Sequence, residues 1–120
     1  MRIKNWKRCK HLESNEVMCW RLDLKHLKGL LRKYSYKLVI ETDNRKPKRY
    51  WLMLKRYKDL CLQDIEHILD EAKLYEAKER AIHFMKHINT LDLIERWWYD
   101  EDLRQEERNV WYAYLNHRLL

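Results

Sequence analysis

Hydrophobic and polar residues alternate along two stretches in the first half of the chain, residues 36–43 (YKLVIETD) and 49–57 (RYWLMLKRY). A period of two is typical of a β-strand with two unlike faces. Residues 43–48 (DNRKPK), where the two stretches meet, supply Asp, Asn and Pro, which favour a turn. The pattern predicts a β-hairpin with a projecting basic tip. One face of it carries Tyr36, Leu38, Ile40, Tyr50, Leu52 and Leu54.

The alternation is weaker toward the N-terminus. Residues 16–24 (EVMCWRLDL) alternate in part, which predicts another strand, and residues 25–35 place leucines at helical spacing, which predicts a short helix. The first 15 residues are basic and are interpreted as a strand or a segment that follows the surface.

From Cys61 onward the spacing of apolar residues predicts helices. One stripe recurs at intervals of three and four, through Ile65, Ile68, Leu69, Ala72, Tyr75, Ile82, Met85 and Ile88. Thr90 is a candidate N-cap for a following helix, and residues 100–120 predict a last one. The fold class expected is therefore α+β, in one domain over residues 1–120: a small antiparallel sheet from residues 1–60, packed against about three helices from residues 61–120.

Composition agrees with a globular helical domain. The chain of 120 residues has 46% hydrophobic and 38% charged residues, with one Gly and one Pro, which is too few for a fold with many turns. The three cysteines form no CxxC pair and are interpreted as reduced thiols. No apolar run suits a signal peptide or a membrane span, so a soluble, cytoplasmic protein is expected, in the host cell if a phage encodes it.

The two halves of the chain differ in charge. Residues 1–60 contain 18 Lys and Arg against 6 Asp and Glu, whereas residues 61–120 contain 8 against 13. The net charge of +7 therefore conceals a basic half and an acidic half. Such asymmetry indicates a charged partner, although solvated surfaces would also explain it.

The basic half concentrates charge and aromatic rings around the predicted hairpin. Interleaved cations and rings are what single-stranded nucleic-acid grooves use, with charge for the backbone and rings for stacking. No signature of a known nucleic-acid-binding module accompanies them. We therefore predict a contact with nucleic acid or with an acidic partner, made by Arg45, Lys46, Lys48, Arg49, Trp51, Lys55, Arg56 and Lys58.

The acidic half contains three consecutive aromatic residues in the stretch ERWWYDED. Successive helical residues point about 100° apart, so one core-facing stripe cannot absorb all three rings. At least one ring should be exposed or lie at the end of an element. We predict a protein interface, with the target or across a homodimer, in which Trp97 or Trp98 takes part and which comprises Trp97, Trp98, Tyr99, Asp100, Glu101 and Asp102.

No motif indicates catalysis, a cofactor or a metal. With a single glycine, the chain has no phosphate-binding loop, and its two serines lack a nucleophile context. His83 and His87 have the i, i+4 spacing of zinc ligands, but no third ligand is indicated and neither is the Glu of HExxH. We predict a protein without enzymatic activity, cofactor or metal.

Two functions remain. The first is a small interaction protein that binds or inhibits a nucleic-acid-handling protein or a nucleoprotein complex. The second is a regulator that binds DNA or RNA directly through the basic-aromatic hairpin. In overall character the chain resembles the small, charged, glycine-poor accessory proteins of phages and mobile elements, anti-CRISPR inhibitors among them. That resemblance rests on no motif and assigns no residue.

Overall fold

The computed structural model describes residues 7–10, 18–23, 34–42 and 48–118, with side chains from residue 34 onward. Five strands form one antiparallel sheet in which each strand pairs with the next along the chain. They are β1 (Lys7–Lys10), β2 (Met18–Asp23), β3 (Ser35–Thr42), β4 (Tyr50–Lys58) and β5 (Cys61–Ala72). The helix predicted over residues 25–35 lies outside the described residues, apart from its last two positions, of which Ser35 begins β3.

The hairpin of β3 and β4 has the faces that the sequence predicted. Leu38 pairs with Leu54 and Ile40 with Leu52, and all four side chains are completely buried. Their burial against the helices stabilises the fold by about 2 kcal/mol for each side chain. The opposite face of these strands also buries Val39 and Met53, so neither face is mainly polar.

Residues 61–72 form a strand, and the helix predicted from Cys61 onward is wrong for this stretch. Strand β5 has 12 residues against 9 in β4, because the pairing shifts at three places and each shift adds one residue to β5. At one shift Asp70 and Glu71 oppose a single residue of β4, and Glu71 adopts a positive φ of 49° there. These extra residues are β-bulges, which bend and twist a strand at the border of a sheet.

Three helices follow the sheet: α1 (Leu74–His87), α2 (Leu91–Tyr99) and α3 (Glu101–Arg118). Helix α1 begins where the Glu76 carboxylate accepts a hydrogen bond from the Lys73 backbone N–H, at 3.1 Å. The predicted N-cap of α2 is confirmed, because the Thr90 hydroxyl accepts from the Leu93 N–H at 3.1 Å. No helix in the described part of the chain is long and apolar enough to cross a membrane.

The hydrophobic core lies between one face of β3 and β4 and the three helices. Tyr36, Leu38, Ile40, Leu52 and Leu54 pack there against Ala77, Ala81, Phe84, Ile88, Leu91, Ile94, Trp97, Trp98 and Leu103. The α+β class is confirmed: an antiparallel sheet covered by three C-terminal helices. Because the helices cover this face of the sheet, a side chain on that face cannot reach a partner.

Candidate functional site

The α2–α3 corner brings the predicted interface residues together. Asp100 alone joins the two helices, with an extended backbone (φ −103°, ψ 103°) that ends α2. Its carboxylate Oδ1 accepts hydrogen bonds from the backbone N–H groups of Asp102 (3.0 Å) and Leu103 (3.2 Å), and so caps α3. A one-residue junction turns the chain sharply, which leaves Tyr99, Glu101 and Asp102 on the outside of the corner.

The three consecutive aromatic residues divide between core and surface. Tyr99 is 66% exposed, which confirms that the helix cannot bury all three rings. The two tryptophans are buried within the chain, at 5% and 6% exposure, which leaves them little surface for a partner, and the predicted contact through one of them stays a prediction. The Trp97 ring packs edge-on against Phe84 of α1 at 5.2 Å, and the Trp98 ring lies 5.9 Å from Tyr36 of β3. Both indoles therefore join α2 to the layers beneath it.

Acidic groups surround the exposed Tyr99. An open depression of ≈ 480 Å³ is lined by Glu95, Arg96, Tyr99, Asp100, Glu101 and Asp102. The Arg96 guanidinium lies 3.8 Å from the Asp100 carboxylate, and Arg108 donates to Glu101 at 2.6 Å. Four carboxylates thus share this depression with one arginine. We call Glu95, Tyr99, Asp100, Glu101 and Asp102 the acidic-aromatic surface.

The Arg56 side chain of β4 contacts both the hydroxyl group and the ring of Tyr99. Arg56 is 8% exposed, and its Nη1 donates to the Tyr99 hydroxyl oxygen at 2.5 Å. Its guanidinium also lies over the rings of Tyr34 (4.4 Å), Trp98 (4.8 Å) and Tyr99 (5.3 Å). Asp64 of β5 lies 3.6 Å from its Nη2. Arg56 is therefore engaged within the fold, because β4 directs this side chain to the face that the helices cover, and its predicted contact with nucleic acid or an acidic partner stays a prediction.

The other predicted basic contacts do not form one surface. Lys55 makes a 2.6 Å ion pair with Glu41, and its side chain is only 13% exposed. Lys48 and Lys58 are exposed, whereas Arg49 and Trp51 are half-buried.

Lys48 precedes β4 and Lys58 is its last residue, so the two exposed lysines lie at opposite ends of that strand. Residues 50 and 58 are about 26 Å apart at the usual rise of a strand, so Arg49 and Lys58 are at least that far from each other. Arg45 and Lys46 lie outside the described residues. We call the seven predicted cations the basic run: Arg45, Lys46, Lys48, Arg49, Lys55, Arg56 and Lys58. Those that the structure describes do not converge on one groove.

His83 and His87 face helix α3. The His83 ring lies 3.8 Å from that of Tyr114 and 5.2 Å from that of Trp111, while His87 Nε2 lies 3.9 Å from Glu106. Burial first, and then the positive charge of Lys86, lower the pKa of His83 below its ordinary value of 6.5. Among the described side chains, no three His, Cys, Asp or Glu lie together as metal ligands would.

One exposed feature had no signal in the sequence. Strands β4 and β5 are joined by Asp59 and Leu60, both with positive φ (52° and 67°), as in a type I′ turn. Such turns normally contain Asn-Gly or Asp-Gly, and the leucine here hides the turn from sequence reasoning. We call residues 58–62 the β4–β5 tip; Leu60 is 97% and Leu62 47% exposed.

Comparison of the chain with protein-family models, with curated proteins and with solved structures found no match.

Proposed function

We propose that the chain is a small non-catalytic interaction protein that docks on a basic surface of a nucleic-acid-handling protein or nucleoprotein complex and inhibits it. The observation that carries the proposal is the acidic-aromatic surface, where exposed Tyr99 stands among four carboxylates around one open depression. An aromatic ring within a polar rim is a common composition of protein interfaces. A cluster of carboxylates steers such a surface toward a basic partner.

Two residues of the acidic-aromatic surface, Tyr99 and Asp100, are held in place by contacts within the chain. Asp100 is fixed by its two hydrogen bonds to the start of α3, and Arg56 fixes the Tyr99 hydroxyl. Side chains that are already ordered lose little conformational entropy on binding, so more of the contact energy remains as affinity. This argues for recognition by a preformed surface.

A carboxylate surface of this kind offers a nucleic-acid-handling protein the same negative charge as a phosphate backbone. Occupation of a basic groove by carboxylates would exclude nucleic acid from it, which is a physical route to inhibition. The proposal places the chain with the phage and mobile-element accessory proteins, such as anti-CRISPR inhibitors, that it resembles in character. Direct binding of DNA or RNA is the weaker candidate, because Arg56 and Lys55 are engaged inside the fold.

The test is a pull-down with the immobilised chain from nuclease-treated lysate of its native cell, at low and at high salt. The variant Glu101→Gln/Asp102→Asn removes two carboxylates from the acidic-aromatic surface. A matched control, Glu71→Gln/Glu106→Gln, removes two exposed carboxylates elsewhere. We expect the first variant to retain the partner roughly 5- to 10-fold less well at low salt, and the control to behave like the unchanged chain.

Two results would contradict the proposal. Loss of all retention after nuclease treatment, together with a mobility shift of an oligonucleotide by the chain alone, would establish direct nucleic-acid binding instead. Equal retention by the two variants would show that the acidic-aromatic surface takes no part in binding.

A further inference from the structure

Leu60 occupies a position where a leucine does not help the fold. Its side chain is 97% exposed, so it makes almost no packing contact. Its φ of 67° is in the left-handed region, where a side chain with a Cβ crowds the following carbonyl. Glycine or asparagine would suit this turn position better. An unfavourable backbone conformation with an exposed apolar side chain indicates a role outside the fold.

The chemistry of the β4–β5 tip narrows the partner. Leu60 and Leu62 are exposed apolar groups beside the exposed Cys61. The charges of Lys58 and Asp59 cancel. A tip without net charge has no attraction for phosphate, whether in nucleic acid or in a lipid headgroup. An apolar pocket on a folded protein is the environment that fits it.

Arg56 connects the strands that carry the β4–β5 tip to the acidic-aromatic surface. Arg56 hydrogen-bonds Tyr99 and lies 3.6 Å from Asp64, and Leu60 follows Arg56 by four residues, within about 13 Å along the hairpin. The leucine and the exposed tyrosine therefore stand at the same end of the molecule. One partner could cover both.

We propose that Leu60 is the apolar anchor of this interface and inserts into an apolar pocket bordered by basic residues on the protein partner. The inference rests on the proposed function and extends it from a charged surface to a specific side chain. Charge complementarity selects the partner, because the described residues at this end of the molecule combine six carboxylates with four cations. The carboxylates are those of Asp59, Asp64, Glu95, Asp100, Glu101 and Asp102, and the cations are Arg56, Lys58, Arg96 and Arg108.

A second copy of the chain does not fit the same site. Two such ends, each with a net charge of −2 over the described residues, would repel one another if they met tip to tip. A basic protein surface would instead be attracted to the carboxylates while its pocket received the leucine. This arrangement has the apolar centre and charged border common to protein interfaces.

The experiment uses a photoreactive residue as its probe. A benzophenone side chain replaces exposed Gln63, next to the β4–β5 tip, and the full chain is irradiated at limiting concentration in lysate of its native cell. The comparison is between chains with Leu60 unchanged, with Leu60→Met and with Leu60→Gly. Methionine keeps an apolar side chain and the same backbone penalty, so it is the matched control for glycine.

We expect one protein adduct whose yield stays within about twofold in the Leu60→Met chain and falls roughly 30-fold in Leu60→Gly, as expected for the loss of one buried leucine. The midpoint of urea unfolding should be equal or higher in Leu60→Gly, because glycine relieves the left-handed strain. Loss of binding would then not be loss of folding. The cross-linked peptide of the partner should border Lys or Arg residues.

Other outcomes overturn the inference. It fails if the adduct forms with nucleic acid, lipid or a second copy, if no adduct forms, or if the yield is unchanged by Leu60→Gly. An adduct that persists in Leu60→Gly but is lost in Glu101→Gln/Asp102→Asn would refute the anchor and leave the proposed function standing. An adduct that is lost in Leu60→Gly but persists in Glu101→Gln/Asp102→Asn would keep Leu60 as an anchor and refute docking through the carboxylates.

Discussion

Arg80 and Glu107 form an ion pair inside the helical layer. Arg80 on α1 is 2% exposed and Glu107 on α3 is 1% exposed. Both terminal nitrogens of the guanidinium donate hydrogen bonds to the carboxylate, and the distance from Nη1 to Oε2 is 2.6 Å. The guanidinium also lies 5.2 Å from the centre of the Trp111 ring. Two fully dehydrated charges make such a pair costly to form and costly to break. Its effect is to fix which turn of α1 faces which turn of α3.

Replacement of Arg80 by Met should therefore destabilise the protein strongly, because it leaves the Glu107 carboxylate buried without a partner. We expect a loss of about 3–5 kcal/mol in the free energy of unfolding, measured with urea. The double variant Arg80→Met/Glu107→Leu should recover most of that loss, since no charge remains buried. A double variant as unstable as the single one would show that packing, and not charge pairing, gives these residues their importance.

The sequence showed which aromatic and basic residues stand out, but not which of their side chains the fold buries. The helical angle between neighbours showed that the three rings of Trp97, Trp98 and Tyr99 could not all be buried. It could not decide which ring is exposed, because that depends on where Phe84 and Tyr36 lie in the folded chain. The burial of Arg56 is a similar case, since the helices that cover it are distant in sequence.

Strand β5 shows why an element can be mistaken from its pattern. Its three extra residues interrupt the alternation expected of a strand. The buried or half-buried positions Ile68, Leu69 and Ala72, with Ile65 before them, then recur at intervals of three, one and three. Those intervals are the ones that indicate a helix. Strands β3 and β4 contain no extra residues that interrupt their alternation, and helices α2 and α3 have ordinary caps. The sequence therefore predicted all four elements.

The contact between α1 and α3 should weaken on mild acidification through His83. Its pKa in the folded protein is lowered by burial and by Lys86, although Glu79 and Glu107 oppose the shift. The unfolded chain therefore takes up a proton below the ordinary pKa of 6.5 more readily than the folded protein does. Because the unfolded state binds more protons there, stability falls as the pH decreases through that value.

The measurement compares the unchanged chain with His83→Phe, which keeps a ring against Tyr114 but cannot be protonated. Between about pH 7.5 and 5.5, the unchanged chain should lose more unfolding free energy than the variant loses. Glu79 does not disturb this range. Burial acts to raise its pKa, but hydrogen bonds from Tyr114 and Arg118 leave it below 4.5. Equal losses in the two chains would show that His83 is as easily protonated in the folded state as in the unfolded one.

For the whole molecule, the division of charge along the sequence becomes a division in space only in part. The acidic residues of the α2–α3 corner lie together, as their closeness in sequence predicted. The described cations of the basic run do not stay together, because a strand sends alternate side chains to opposite faces and separates its ends by many ångströms. A linear cluster of charge is preserved at a helix junction and dispersed along a strand.

The last prediction follows from that dispersal and concerns binding to an oligonucleotide. Only the segment around the β3–β4 connection keeps several cations close in sequence: Arg45, Lys46, Lys48 and Arg49. Replacement of these four by Glu should abolish whatever affinity the chain has for a generic single strand. Lys58→Glu, far along β4, should leave that affinity and its dependence on salt unchanged.

Mobility-shift titrations at two salt concentrations measure both quantities. Four phosphate contacts on a single strand would give a slope of log affinity against log salt near −3, whereas all seven cations of the basic run would give about −5. We expect a slope no steeper than the first value, because Arg56 and Lys55 are held by Tyr99 and Glu41 inside the fold. A slope of about −5 that becomes shallower in Lys58→Glu would mean that cations along the whole of β4 contact one nucleic-acid strand. The acidic-aromatic surface would then not be the principal binding site.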